Sequence, residues 1–242
     1  HQVVLVKRCL IQPEAADKTA AAVGEWMRRY KVPAYDEATG KGLVRHVYVR
    51  VNRKGESLCC VVINGRQAPR EPELAAYVCA AVPHTAGVLV NSNTKRGNVI
   101  LGEKYRTLWG RDYLMDTLCG LEFKLSVPSF YQVNRDQAEA LYGKALDYAG
   151  LTGRETVLDL YCGIGTITLC LAKRAGRVIG AEIVPAAIRD AKENAARNHI
   201  ENAEFFCGDA AETAARLEAE GLRPDVITVD PPRKGLAPEV IG

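Results

Sequence analysis

From residue 156 onward the chain alternates apolar runs with segments whose apolar residues recur at helical spacing. The pattern predicts strands at 156–161, 177–182, 203–207 and 225–230, and helices at 166–175, 185–198 and 210–219. Strands that are each separated by a helix pair in parallel, because the crossover helix returns the chain to the same end of the sheet. A further helix is predicted at 135–149, with Gly150 as its C-terminal cap. The predicted fold class is α/β, with a doubly wound parallel sheet over 135–242.

A glycine-rich turn follows the first of these strands. Asp159-Leu-Tyr-Cys-Gly-Ile-Gly165 leads into the next helix, and the second strand ends at Glu182, 19 residues after Gly163. Glycines let the backbone approach a ligand closely, and an acid at that strand end accepts hydrogen bonds from ribose hydroxyls. The pattern indicates a nucleotide-type ligand, with a plain structural turn as the alternative. Thr168 stands where a dinucleotide site has its third glycine, and a Gly-Lys-Ser/Thr phosphate loop is missing, so both of those ligand classes are disfavoured.

The fourth predicted strand ends in Asp230-Pro-Pro-Arg233. Prolines donate no backbone hydrogen bond and hold the preceding residue extended, so the strand stops and Asp230 is directed into the crevice beside the ligand. Enzymes that methylate exocyclic amines of nucleobases often carry an aromatic residue after the two prolines. Arg233 stands there instead and favours a different base chemistry. The alternative is a proline turn that simply ends a strand.

The first part of the chain predicts a smaller α+β domain. Strands are expected at 3–6, 44–51, 58–63 and 87–90, helices at 13–30 and 71–82, and a hairpin turn at 52–56. This β-α-β-β-α-β order is that of a ferredoxin-like split βαβ unit. We therefore predict three parts: an accessory, RNA-facing domain over 1–95, linking strands and turns over 96–134, and a Rossmann-like domain over 135–242.

Charge is distributed unevenly between the two halves. Residues 1–128 hold 19 Lys and Arg against 12 Asp and Glu, a balance of +7, whereas 129–242 hold 13 against 17, a balance of −4. A basic first half favours contact with a polyanion, and Lys95, Arg96 and the basic residues of the 50–54 hairpin are candidates for RNA phosphates. The alternative is ordinary variation between two solvated surfaces.

Composition excludes several classes of protein. No apolar run approaches the roughly 18 residues of a membrane span, and a signal peptide is not recognisable, so we predict a cytoplasmic protein without a membrane partner. The eight cysteines lack the regular spacing of a secreted disulfide scaffold and predict reduced thiols. The isolated histidines have no companions at metal-ligand spacing.

Four motifs together resemble the RNA uracil-5-methyltransferase family, whose members make 5-methyluridine in ribosomal and transfer RNA. They are Asn98-Val-Ile-Leu-Gly102, Ser129-Phe-Tyr-Gln-Val-Asn134, Asp159-Leu-Tyr-Cys-Gly163 and Asp230-Pro-Pro-Arg-Lys-Gly235. Cys9-Leu-Ile-Gln12 resembles the segment that carries the last iron–sulfur ligand of that family. The ribosomal branch is favoured because this cysteine segment fits the members that act there.

The resemblance implies S-adenosylmethionine as the cofactor and RNA, specifically 23S ribosomal RNA, as the partner; it implies no protein partner. Eight residues would bind the cofactor: Gln132, Tyr161, Gly163, Gly165, Thr166, Glu182, Asp209 and Asp230. Glu182 would hold the ribose, Tyr161 would pack beside the methionine portion, and Asp209 would lie near the adenine. Thr166 stands where some members have asparagine.

Catalysis in that family needs a cysteine that adds to uracil C6 and a glutamate that removes the C5 proton. Both follow the Asp-Pro-Pro-Arg segment, so the resemblance places them beyond Gly242, and it places the first three iron–sulfur cysteines before His1. Cys9 would be the last ligand of a [4Fe–4S] cluster, and this chain alone is expected to be inactive. Cys162 is interpreted as structural. The alternatives are methylation of another RNA base or of an exocyclic nitrogen, and a catalytically inactive RNA-binding module.

Overall fold

The computed structural model describes Val6, residues 8–233, Gly235, Leu236 and Pro238. It divides into two compact units: one runs to Leu114 and includes Ser126–Pro128, and the other comprises Met115–Leu125 and the chain from Ser129. The functional division predicted from the sequence stays a prediction, because these units are defined by packing alone. None of the helices in the described part of the chain is long and apolar enough to cross a membrane.

The first unit is a four-stranded sheet with two helices. Its elements in chain order are α1 (Glu14–Arg29), β1 (Val44–Val51), β2 (Ser57–Ile63), α2 (Glu71–Ala81), β3 (Thr85–Ser92) and β4 (Lys104–Gly110). The strands lie in the order β1-β2-β3-β4, and the central pair β2–β3 is parallel while the two outer pairs are antiparallel. The strands and helices predicted from residue 13 to residue 90 are thus confirmed, with bounds shifted by at most two residues.

Both helices pack on one face of this sheet. Their apolar stripes meet alternate residues of the central strands, such as Val61 and Val88, because successive strand residues point to opposite faces. Trp26 on α1 is fully buried there, and its indole nitrogen donates a hydrogen bond of 3.1 Å to the carbonyl oxygen of Arg70 at the start of α2. The polar end of the ring is therefore satisfied inside the core.

The strand order of this unit differs from the predicted ferredoxin-like one. In a split βαβ unit a further strand separates the two parallel strands that a helix connects, whereas β2 and β3 are direct neighbours joined through α2. Both strands are buried along almost their whole length, as expected for a parallel pair covered on both faces. Such continuous apolar runs do not show from sequence whether another strand lies between them. The strand predicted at 3–6 lies outside the described residues, except for Val6.

A hairpin of β5 (Tyr113–Leu118) and β6 (Leu121–Ser126) precedes the second sheet. Cys119 and Gly120 between them both have positive φ, as a two-residue type I′ turn requires. The β6 backbone is held by side-chain amides of the second unit: Asn194 accepts from the Lys124 nitrogen at 2.8 Å, and Asn198 both accepts from and donates to Glu122.

The second unit contains the predicted parallel sheet. Its elements are α3 (Arg135–Ala149), β7 (Thr156–Leu160), α4 (Thr166–Ala172), β8 (Arg177–Glu182), α5 (Pro185–Arg197), β9 (Ala203–Cys207), α6 (Ala210–Ala219) and β10 (Val226–Val229). The strands lie in the order β10-β7-β8-β9 and all pairs are parallel. Helix α6 packs on the face formed by Leu158, Leu160 and Ile179, while α4 packs on the opposite face against Val157 and Val178. Helices on both faces confirm the doubly wound arrangement.

Candidate functional site

A cleft opens in the second unit at the carboxyl ends of β7 and β10. The chain runs outward from β7 through β8 to β9 and then returns to the other side of β7 with β10. Ligands of open α/β sheets bind at such a reversal of strand order, because the loops leaving the two strands diverge there. The cleft is lined by Phe130, Tyr142, Asp159, Tyr161, Cys162, Gly163, Ile164, Thr166, Ile167 and Asp230.

The loop between β7 and α4 has a conformation that depends on its glycines. Gly163 and Gly165 have φ values of +56° and +84°, and Tyr161 between strand and loop also has a positive φ of +68°. A Cβ atom on Gly163 would have no atom within 4 Å, so this backbone is open on that side, whereas a Cβ on Gly165 would meet the Phe205 ring at 3.3 Å. Gly163 therefore leaves room for a ligand, and Gly165 permits close packing beneath the loop.

Glu182 fixes this loop from the end of β8. One of its carboxylate oxygens accepts a hydrogen bond from the backbone nitrogen of Gly163 at 3.2 Å, and the other accepts from Val184 at 2.9 Å. The carboxylate thus adjoins the cleft through the Gly163 backbone rather than lining it. Together with Asp159 and Asp230 it makes this end of the sheet acidic. Such a surface suits a cation and ribose hydroxyls, and it repels a pyrophosphate.

Asp159 lies at the floor of the cleft and is almost completely buried. The hydroxyls of Thr168 and Thr228 donate to its two oxygens at 2.5 and 2.9 Å. Burial raises the pKa of Asp159 to about 6, and the neighbouring charge of Asp230 acts in the same direction. These contacts connect β7 with α4 and β10, so Asp159 positions the elements that form the cleft.

We expect Asp159→Asn to change the pH dependence of stability. The pKa of Asp159 is higher in the folded than in the unfolded protein. Its contribution to the free energy of unfolding is therefore greatest below about pH 4 and is lost as the pH rises to about 6. The variant does not titrate there, so its stability relative to wild type should rise by roughly 2–3 kcal/mol across this window. Urea unfolding followed by far-ultraviolet circular dichroism measures it. If the free energies of unfolding of the two proteins changed with pH in parallel, Asp159 would not have the raised pKa. Asp147→Asn, which changes an exposed carboxylate, is the control.

Cys162 lines the cleft but is a poor nucleophile. Its side chain is buried, and burial raises the pKa of the thiol far above its usual range, with the charges of Asp159 and Glu182 adding to the effect. The Sγ atom lies so close to β8 that a Cβ on Gly180 would approach it to 3.0 Å. Since the thiolate is the reactive form, this geometry supports the structural interpretation of Cys162.

The remaining predicted cofactor residues lie at different distances from the cleft. Thr166 lines it, and its hydroxyl is 3.1 Å from that of Tyr142. Gln132 lines an adjoining groove that shares Tyr142 and Asp230 with the cleft. Asp209 lies at the end of β9, where its carboxylate caps α6 by accepting from the Ala211 nitrogen at 2.9 Å. Its predicted contact with adenine stays a prediction.

The two aromatic residues Tyr142 and Phe130 line the cleft but were not predicted from the sequence. Tyr142 lies on α3 and points its hydroxyl to the loop; burial raises the pKa of this phenol to about 12, so it stays protonated and can donate a hydrogen bond. Helical periodicity indicates that Tyr142 is buried but not that it faces a site. Phe130 is 72% exposed beside the cleft, and its position inside the Ser129–Asn134 motif was the available signal.

Cys9, the predicted iron–sulfur ligand, belongs to the first unit and is half-buried. Its backbone nitrogen donates to the Asp17 carboxylate at 3.1 Å. Within the described residues, no group of three or more His, Cys, Asp or Glu side chains is arranged to hold a metal ion. The role of Cys9 as an iron–sulfur ligand stays a prediction.

Known methyltransferases are similar to this chain in sequence and in fold. Residues 151–232 match the family model described as a methyltransferase domain. The chain is 44% identical to an uncharacterized RNA methyltransferase of Halalkalibacterium halodurans, over 97% of this chain and 52% of that protein. It is 43% identical to an uncharacterized RNA methyltransferase of Caldanaerobacter subterraneus subsp. tengcongensis, over 100% of this chain and 54% of that protein. The chain thus spans about half the length of the relatives it matches.

A solved structure has the same fold. The tRNA (uracil-54, C5)-methyltransferase of Pyrococcus abyssi, crystallised with S-adenosyl-L-homocysteine, superposes with a TM-score of 0.80 over 99% of this chain and 57% of that chain, at 23% sequence identity. At this identity the likeness concerns the fold. The fold of this chain is that of S-adenosylmethionine-dependent methyltransferases, and its second unit carries the match to a methyltransferase domain.

Proposed function

We propose that the full-length protein containing this chain transfers a methyl group from S-adenosylmethionine to C5 of a uridine in RNA. The observation that carries the proposal is the pairing of β10 with β7, which brings Asp230 and the Tyr161–Thr166 loop to one cleft. These are two of the motifs that resemble the uracil-5-methyltransferase family. Relatives that match almost the whole chain are named RNA methyltransferases. The enzyme whose solved structure has the same fold is named a tRNA (uracil-54, C5)-methyltransferase.

The residues at the cleft fit S-adenosylmethionine. Its sulfonium and amino groups are cationic and its ribose offers two hydroxyl donors, which match the carboxylates of Asp230 and Glu182. Glu182 would hold the ribose, Tyr161 would pack beside the methionine portion, and Asp209 would lie near the adenine. Gln132 would bind from the adjoining groove. Gly163 and Gly165 would let the loop backbone approach the cofactor closely, and Thr166 lines the same cleft. The bound cofactor would supply an electrophilic methyl group.

Uracil C5 needs activation before it can accept that methyl group. A thiolate that adds to C6 would place a pair of electrons at C5, which would attack the methyl carbon while the bond from that carbon to the sulfonium sulfur breaks and S-adenosylhomocysteine leaves. A base would then remove the C5 proton, and the thiolate would leave as the C5–C6 double bond re-forms. Among the described residues, Cys162 is the only cysteine that lines the cleft, and it is buried as a thiol. We therefore assign the nucleophile and the base to parts of the full-length protein outside this chain, as the family resemblance implies.

Ribosomal RNA, specifically 23S RNA, is the proposed substrate, because the segment around Cys9 resembles the corresponding segment of the family members that act on this RNA.

The same resemblance assigns Cys9 to a [4Fe–4S] cluster of the full-length protein. Iron and acid-labile sulfide analysis of the anaerobically purified protein, with and without Cys9→Ser, tests this assignment. Equal iron content in both proteins would remove Cys9 from the ligand set.

We expect deletion of the gene to remove 5-methyluridine from one position of an RNA, because the proposed transfer is the source of that methyl group. Nucleoside mass spectrometry of separated ribosomal and transfer RNA measures it, and plasmid-borne expression of the wild-type gene is the control that should restore the signal. Loss of a different methylated nucleoside would favour methylation of another base. Unchanged methylation of both RNA classes would favour a catalytically inactive RNA-binding module.

A further inference from the structure

We propose that the first unit binds the phosphate backbone of the substrate RNA in a second cleft, with Arg66 and Lys104 as its principal contacts. This inference rests on the proposed function, since it names where the same RNA is held. The cleft lies within the first unit, where β2 and β3 end side by side and β4 begins. Its volume of about 630 Å³ is within the range of ligand pockets.

The charges around this cleft favour an anion. Four cationic residues line it: Arg66, Lys95, Lys104 and Arg106. Arg106 is committed to a bidentate pair with Glu71, in which Nη2 donates to Oε1 at 2.7 Å. In the described part of the chain, by contrast, neither Arg66 nor Lys104 has a carboxylate oxygen within 4 Å. Glu103 also lines the cleft and interacts with Lys104 only through its charge, so both cations can still donate hydrogen bonds to a phosphate.

Lys95 contributes a third positive charge, which can exchange its present ion pair for a phosphate. It pairs with Glu103 at 2.9 Å, but the two side chains are 80% and 84% exposed. An ion pair this exposed is weak because solvent screens both charges, so a phosphate can displace the carboxylate. The hydroxyls of Ser92 and Thr94, which also line the cleft, are further donors suited to phosphate oxygens.

The 93–104 segment, which carries Lys95 and Lys104, is held by hydrogen bonds from buried side chains although it is exposed. Asn91 and Asn93 are buried at the end of β3, and their side-chain amides donate to carbonyls of 99–104, including that of Gly102 at 2.9 Å. The Arg45 guanidinium on β1 donates hydrogen bonds to the carbonyl oxygens of Asn93 and Lys95 at 2.9 and 2.7 Å. A loop fixed before binding loses little conformational entropy when it meets a ligand. The arrangement is therefore built to present charge at a defined place.

The test is RNA binding by the full-length protein at several salt concentrations, with a labelled RNA stem–loop that carries a loop uridine as the probe. Each phosphate contact steepens the salt dependence of binding by about 0.7–0.9 in log K against log salt. We expect the double variant Arg66→Ala/Lys104→Ala to lower that slope by roughly 1.4–1.8 and to weaken binding by more than roughly tenfold at 0.1 M salt. The charge-retaining variant Arg66→Lys/Lys104→Arg should keep the wild-type slope.

The double variant Arg28→Ala/Arg29→Ala is the matched control, because it removes two exposed positive charges from α1 instead. An equal fall in slope for this control, or an unchanged slope for the cleft variant, would overturn the assignment. Calorimetry with S-adenosylmethionine should give the same affinity for all three double variants and wild type, which separates this cleft from the cofactor site. Failure of the wild-type protein to bind RNA at all would overturn the proposed function itself.

Discussion

RNA containing 5-fluorouridine is expected to form a covalent adduct with the full-length protein, and Cys162→Ala is expected to leave that adduct intact. After the thiolate has added to C6 and C5 has been methylated, the base cannot remove fluorine as it removes a proton. The enzyme is then not eliminated and the complex survives denaturation. Gel electrophoresis of labelled RNA under denaturing conditions shows the adduct directly.

The expectation for Cys162 follows from its surroundings. Its backbone nitrogen donates to Ala181 at 3.0 Å, and its thiol is enclosed between the loop and β8, where burial disfavours the thiolate. The other seven cysteines all lie in the described part of the chain; Cys59, Cys60 and Cys170 are buried, and none of the seven lines the cleft there. The 242-residue chain by itself is therefore expected to give no adduct.

The outcome separates the two assignments cleanly. An adduct from this chain alone that disappears in Cys162→Ala would make Cys162 the nucleophile and refute the structural interpretation. Cys170→Ala is a matched control, because it removes another buried thiol of the same unit that does not line the cleft.

The second large effect is expected for Glu182→Ala, which should weaken S-adenosylmethionine binding by about ten- to 150-fold. A carboxylate that accepts hydrogen bonds from ribose hydroxyls contributes about 1.5–3 kcal/mol, because bonds to charged groups are the stronger kind. Glu182 also holds the nitrogens of Gly163 and Val184, so its loss loosens the loop as well. Isothermal titration calorimetry on the full-length protein gives the affinity.

Two comparisons make this result specific. Glu182→Gln keeps an acceptor but removes the charge, so it should bind with an affinity between those of wild type and Glu182→Ala. Glu201→Ala removes an exposed carboxylate before β9 and should bind like wild type. A change below twofold for Glu182→Ala would mean that the cofactor pocket has been misassigned. Asp230→Ala should resemble Glu182→Ala if both carboxylates hold the cofactor.

Much of the second unit could be predicted because its periodicity is local. Strand β8 and helix α3 have the predicted bounds, since β-branched runs and 3.6-residue spacing are properties of neighbouring residues. The first unit shows the limit of this reasoning. The same apolar runs are compatible with a split or a direct βαβ arrangement, and the pairing of β2 with β3 is decided by contacts between segments more than 20 residues apart.

The candidate site divides in the same way. The sequence by itself determined that acids stand at the strand ends, that glycines form a turn after the first of these strands, and that prolines end the strand after Asp230. These features depend only on residues that are neighbours in the chain. Only the tertiary structure decided that Val229 lies beside Leu160, which places Asp230 at the Tyr161 loop, and that Tyr142 reaches the same cleft from α3. It also decided the chemistry of Asp159 and Cys162, since a pKa depends on the burial and charge that distant segments create around a group.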